Sequence, residues 1–317
     1  MTNPTALAAS PTELPLPAKA AASARPSLAA LGRCLANSSV RIGGAVLLLL
    51  VALAIFAPYL GTIDPNAFDA GNRDLLPLQV GNITTLDGDV IAHRFLMGAD
   101  ALGRDIYSRV LFGIHVSLLV GFACAAISLA MGTLLGLLAG YFRWLDQLIM
   151  RIMDGLMAIP GILVAIALVS LWSASLSTIV LAVAIPEIPR VTRLVRSLIL
   201  SLREEPYVEA AISLGARPFQ VIFKHLLPNT VAPLIVQGTY ICASAMLTEA
   251  VLSFLGVGLP SEIPTWGNVM ADGRAQFQDF PHEVLFAGVF LALSVLAINI
   301  LGDGLRDCLD AKRATRT

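Results

Sequence analysis

The sequence is poor in charge, with Asp, Glu, Lys and Arg making up 14 % of it against about 25 % in soluble domains. Lysine is scarcest. Lys19, Lys224 and Lys312 are the only three, and none closes a glycine-rich loop of the kind that cradles nucleotide phosphates, so the chain has no apparatus of its own for splitting ATP. The motifs GxSxG, HExxH and CxxC are also missing, which removes the nucleophile-elbow hydrolases, zinc proteases and dithiol oxidoreductases. Four cysteines, Cys34, Cys124, Cys242 and Cys308, lie far apart with no disulfide or metal spacing and read as small apolar filler. His93, His115, His225 and His282 are equally dispersed, so no metal site is expected. A net charge of −1 offers no basic surface for nucleic acid.

Apolar residues are plentiful, at 56 % against roughly 45 to 50 % in soluble domains, and they fall in runs of about the 20 residues that cross a bilayer. Six spans are expected, over residues 42–60, 115–141, 149–172, 176–196, 230–255 and 283–301, giving an all-α membrane protein. Ahead of them, residues 1–27 are rich in Ala, Pro, Ser and Thr and predict a disordered tail. Residues 28–41 segregate leucines from arginines as an interfacial helix would, and 311–317 form a C-terminal tail. Gly132, Gly136 and Gly140 stand four apart on one helical face and predict a packing seam. Pro160 predicts a kink in the third span, Pro186 and Pro189 a bend in the fourth. The 61–109 segment, with seven Asp and four Arg, is too polar for the bilayer. With the N-terminus inside, 16 of the 21 Lys and Arg fall on the cytoplasmic side, the orientation the positive-inside rule selects.

One charged island, residues 204–229, separates the fourth and fifth apolar runs. Pro206 suits a first helical turn, Glu204 and Glu205 the positive end of its dipole, and Gly215 a left-handed stop. A helix is therefore expected from Pro206 to Leu214. A second short one follows from Pro218, with Phe219, Ile222, Phe223 and Leu226 as an apolar stripe, until Pro228 breaks it. Within this island Glu209-Ala210-Ala211, Gly215 and Leu227-Pro228 resemble the EAA loop of permease subunits of bacterial ABC importers. His225 stands where the general pattern has Ile, and His225-Leu226-Leu227-Pro228-Asn229 is similar to the dipeptide, oligopeptide and nickel branch. The run containing His93, Gly98, Asp100, Gly103, Arg104 and Asp105, the stretch around Trp266, and residues 302–307 resemble the same family.

The resemblance extends over about residues 42–310. It implies the type I importer permease fold and a C-type permease that itself catalyses nothing. It also implies a homologous second permease, two ATP-binding subunits that use ATP and magnesium, an extracytoplasmic binding protein, a peptide substrate and an inner-membrane location. By the same resemblance Glu209, Ala210, Ala211, Gly215, Leu227 and Pro228 would couple the chain to the ATPase. Among ionisable or amide groups in the spans, Glu249 and Gln237 either line a translocation path or hydrogen-bond to backbone and neighbouring helices. Asp154 has Arg151 three residues before it as an ion-pair partner. An ion- or proton-coupled carrier complete in one chain would call for paired ionisable groups at mid-membrane, and none is legible.

Overall fold

The computed structural model describes residues 34–84, 90–172 and 174–314; the expected N-terminal tail lies outside the described residues, as do residues 28–33 of the expected interfacial helix. In chain order the helices are α1 (Ser38–Phe56), α2 (Ile106–Tyr141), α3 (Arg143–Met157), α4 (Gly161–Leu171), α5 (Leu176–Ala184), α6 (Ile188–Arg203), α7 (Pro206–Ser213), α8 (Pro218–Phe254), α9 (Trp266–Gly273) and α10 (His282–Ala314). Among the described residues, four stretches are long and apolar enough to cross a membrane, Ser38–Tyr59, Ile106–Tyr141, Pro218–Phe254 and His282–Leu309. A fifth is added if α3 and α4 are one broken span.

Asn37 starts α1 by accepting the Ser39 N–H at 2.8 Å, a side-chain acceptor for one of the orphan donors of a first turn. Arg41 therefore lies inside the first span and not on a separate surface helix. α1 runs against α10 closely enough that a β-carbon on Gly43 would sit 2.6 Å from the Ala297 carbonyl oxygen. Where the two helices leave this seam, Cys34 and Cys308 form a disulfide with a Cα separation of 5.4 Å. The expectation of four unpaired cysteines is thus corrected. A spacing of 274 residues gave no local signal; Cys124 and Cys242 are free and buried.

α2 is longer than its apolar run. It begins at Ile106, where Asp105 accepts the Ser108 N–H at 2.9 Å, so its first turns carry Arg109 into the protein interior. At its other end Gly132, Gly136 and Gly140 face α6, and β-carbons there would collide with those of Val191, Val195 and Ile199 in turn. One row of bare backbone thus receives one row of branched side chains, the close approach that small residues at four-residue spacing permit.

The third expected span is a sharp break and not a kink. α3 and α4 meet at 87°, with Pro160 extended at φ −52°, ψ 129° as the residue before α4. Proline disfavours helix in the residue ahead of it and cannot donate to the preceding turn, so α3 stops at Met157. The pairing of Asp154 is corrected too, since its carboxylate accepts from Arg193 of α6 at 2.6 Å and not from Arg151. The fourth span bends through a 3₁₀ turn, Ile185–Glu187, and continues as α6 past residue 196 to Arg203.

The 61–109 segment contains a hairpin, β1 (Val80–Thr84) and β2 (Val90–Arg94), antiparallel with Val80 opposite Arg94 and Asn82 opposite Ala92. At the last span the helix runs through the expected end at 301 to Ala314. Between α2 and α10 stands Trp266, fully buried, its indole N–H donating to the Val110 carbonyl at 3.2 Å.

Candidate coupling site

Three local devices shape the island between α6 and α8. Pro206 opens α7 with Glu209 in its first turn, and Val208 is the one fully buried anchor that ties this short helix to the body. At its end Gly215 takes φ +84°, Gly215 N–H donates to Ile212 and Ala216 N–H to Ala211. That pair of bonds is the Schellman arrangement, which satisfies the last carbonyls of a helix and needs a left-handed residue at this point. Arg217 and Gln220 then cap the next helix, the Arg217 N–H donating to the Gln220 side chain at 3.1 Å.

The second helix does not end at Pro228. It continues as α8 to Phe254, and the missing proline N–H is absorbed by a π-helical stretch, Val221–Leu226, that widens the turn so that the Leu227 N–H reaches Ile222 five residues back. The Asn229 side chain donates to the His225 carbonyl at 2.6 Å, supplying a proton donor beside the proline. The apolar stripe expected on one face is split. Ile222 and Leu226 are buried, whereas Phe219 and Phe223 are 67 % and 59 % exposed.

Leu214, 89 % exposed, joins Phe219, Phe223, Ile212 and Tyr207 in an apolar surface at this end of the molecule. Glu209, Ala210 and Gly215 are exposed beside it, Ala211 and Leu227 are half-buried, and Pro228 is exposed. Sequence reasoning missed the bond between the two helices: the Asn229 side chain donates to the Tyr207 hydroxyl at 3.3 Å, and the His225 ring lies 6.4 Å from the Tyr207 ring. Partial burial and the nearby Glu205 carboxylate both hold the Tyr207 phenol above its ordinary pKa, so it stays a neutral hydroxyl able to accept that bond. The signal was present in His225 and Asn229, which stand four apart on either side of the proline.

Two arginines carry this island into the body. Arg203 donates to the Gly140 and Tyr141 carbonyls, each at 3.1 Å, placing a cation on the negative end of α2. Arg196 grips Asp146 of α3 in a two-pronged pair at 2.5 and 2.7 Å, the geometry that suits guanidinium to carboxylate.

Glu249 and Gln237 lie elsewhere and apart from each other. Glu249 is 1 % exposed and accepts from the Ser253 hydroxyl at 2.9 Å and the Thr265 hydroxyl at 3.0 Å, and Thr265 in turn caps α9. Its carboxylate faces this chain's own groups and no open space. Gln237 borders a cavity of about 380 Å³ with Leu194, Pro233 and Arg306, and its amide nitrogen is buried without a hydrogen-bond partner.

At the opposite end of the molecule, Arg104 pairs with Asp100 at 2.6 Å and Asp272 at 2.7 Å, and Arg109 with Asp272 at 3.1 Å. These pairs fasten the hairpin segment to α9. Beside them burial raises the Asp105 carboxyl above the usual carboxylate range, against the opposing pull of Ser108 and His93.

Residues 132–315 match the family described as binding-protein-dependent transport system inner membrane component, and residues 29–77 match the N-terminal TM domain of oligopeptide transport permease C. A probable peptide ABC transporter permease protein of Sinorhizobium fredii is 47 % identical over 278 residues, covering 87 % of this chain and 90 % of that protein. The dipeptide transport system permease protein DppC of Alkalihalophilus pseudofirmus is 42 % identical over 87 % of this chain and 86 % of its own length. A glutathione transport system permease protein, GsiD of Pectobacterium atrosepticum, is 41 % identical over 85 % of each. A chain of the MetNI methionine ABC transporter, inward facing, shares the fold at a TM-score of 0.52 and 20 % identity, over 63 % of this chain and 95 % of that one. With over half its length inside one family pattern and such relatives along most of it, the chain belongs to the binding-protein-dependent transport system inner membrane components, the permease subunits of ABC importers.

Proposed function

We propose that this chain forms one half of the translocation path of an ATP-driven peptide importer in a bacterial inner membrane, with six spans and both termini in the cytoplasm. A homologous permease supplies the other half, two ATP-binding subunits drive it with ATP and magnesium, and an extracytoplasmic binding protein delivers the peptide. The six spans take α1, α2, the broken pair α3–α4, α5–α6, α8 and α10. Peptide as cargo rests on what the relatives from three organisms are named for.

The observation that carries the coupling role is the exposed apolar surface of Leu214, Phe219 and Phe223 on a helix pair whose angle is set by Gly215. Exposed apolar patches of this kind mark protein docking sites. Glu209 offers a carboxylate at the edge of that surface, and Ala210 and Ala211 keep it low enough for a groove to close over it. Movement of the ATPase subunits would reach α2 through Arg203 and α8 through the Tyr207–Asn229 bond.

The test is a cysteine at Ser213 in the assembled importer. Zero-length or short bifunctional crosslinking from that cysteine should capture the ATP-binding subunit, with the yield changing between nucleotide-free and ATP-trapped states. Capture of the extracytoplasmic binding protein instead, or of no subunit in a complex that transports, would remove the coupling role from this surface.

A further inference from the structure

Two helix breaks meet at one depth. Gly161, which opens α4, would place a β-carbon 3.1 Å from Cβ of Pro186, so the start of α4 abuts the 3₁₀ turn between α5 and α6. At 1.5 Å per residue Glu187 stands about 16 Å along the axis from Leu176, half of a hydrocarbon layer about 30 Å thick.

At that level the Glu187 carboxylate accepts from Arg190 at 2.9 Å. The Arg190 guanidinium lies over the Tyr240 ring, 5.2 Å from its centre. The Arg190 side chain is 46 % exposed and Tyr240 50 %. A guanidinium half open at the midplane does not face lipid; ionisable groups at such depth look into an aqueous cavity or the bundle interior and mark routes for polar cargo. One and two turns further along α6, Arg193 and Arg196 are held by carboxylates of α3. The Glu187–Arg190 pair sits within a single chain segment and turns toward Tyr240 of α8, so opening it gives up no ion pair between helices.

Resting on the reading of this chain as half of a peptide path, we propose that Glu187, Arg190 and Tyr240 form a subsite for the charged ends of a short peptide in transit. The ammonium end meets the Glu187 carboxylate, the carboxylate end meets the Arg190 guanidinium, and the Tyr240 ring packs along the peptide between them. No bond is made or broken; one ion pair in the chain is exchanged for two with the cargo. Because the resting pair must open, the subsite holds weakly and lets go, as a conducting site must.

The experiment uses the complete importer in proteoliposomes, with dialanine and trialanine as probes. The double variant Glu187→Gln/Arg190→Gln keeps a neutral hydrogen-bonded pair of similar size, and Arg190→Lys keeps the charge. The double variant should take up peptide at least tenfold more slowly, with ATP hydrolysis stimulated by the binding protein unchanged, while Arg190→Lys retains most uptake. A double variant that transports like the parent overturns the subsite and leaves the importer reading intact. A parent complex that hydrolyses ATP yet moves neither peptide overturns both.

A second measurement needs no variant. A dipeptide bearing a diazirine side chain, photolysed in the ATP-trapped parent complex, should label the neighbourhood of Tyr240 and be displaced by excess dialanine. Labelling of this chain confined to other helices would defeat the proposal.

Discussion

Single glycines do opposite work in the turn of the charged island and in the seam between α2 and α6. Gly215 has open space where a β-carbon would go but a φ of +84°, so a side chain there meets no neighbour and only the backbone resists, by about 1–2 kcal/mol. Gly215→Val should therefore leave membrane abundance near normal and abolish peptide uptake, because the angle between α7 and α8 is lost; normal uptake would show that the turn transmits nothing. Gly136 is the reverse case, helical in backbone but with Cβ of Val195 2.6 Å from its missing methyl. Gly136→Ala should cost about 1–3 kcal/mol through overpacking, read as a lower melting temperature in detergent. Gly155→Ala, on a helix with nothing within 4 Å, should be neutral or stabilising by about 0.5–1 kcal/mol. Glu249→Ala leaves the Ser253 and Thr265 hydroxyls without their buried acceptor, a loss of about 1–3 kcal/mol. These roles differ in how far the sequence shows them. Gly215 is legible because its neighbours, Pro206 before and Pro218 after, leave a turn no other place. The partner of Glu249 is not, because Thr265 comes from a segment with no apolar rhythm to dock it.

Among the elements, the join between the coupling helix and α8 is where local reading and structure part most sharply. Pro228 and Pro233 both stand in a helix that continues to Phe254, and proline in a helix interior usually marks an end. The π stretch over Val221–Leu226 resolves the conflict by lengthening the turn ahead of Pro228, and such insertions depend on tertiary packing of Val221, Ile222 and Leu226 that no local pattern reveals. The same insertion rotates Phe219 and Phe223 outward relative to the span they lead into. Pro228→Ala restores the N–H and removes the reason for the wide turn. A return to regular α-helix should swing the two phenylalanines by about one residue, roughly 100°, and so lower ATPase stimulation and uptake together while the chain stays inserted. Unchanged coupling in that variant would show that the π turn is incidental. The hairpin and the broken third span were opaque for a related reason. β1 and β2 alternate poorly, and Pro160 alone does not tell a kink from an 87° break until α3 is seen to spend its charged face on α6.

For the whole molecule the decisive property is the side of the membrane on which each end lies. On the orientation proposed above, the charge count places the coupling island in the cytoplasm and the hairpin outside, and the disulfide between Cys34 and Cys308 ties the segment before α1 to the late turns of α10. A membrane-impermeant maleimide can read this directly, since Cys124 and Cys242 are buried and the other two cysteines are paired. In intact cells a cysteine placed at Val90, exposed on the hairpin, should react at once. A cysteine placed at Ser213, exposed at the end of α7, should react only after the membrane is opened. In a Cys34→Ser/Cys308→Ser background the chain without an added cysteine should stay unlabelled in both conditions, which controls for the buried thiols. The two sites stand at opposite ends of the span bundle, so labelling of both from outside would contradict any spanning arrangement. Labelling of Ser213→Cys alone would invert the chain and put the coupling surface out of reach of any ATP-driven partner. Reaction at Val90→Cys only, before permeabilisation, is the single pattern compatible with a permease whose motor works from the cytoplasm.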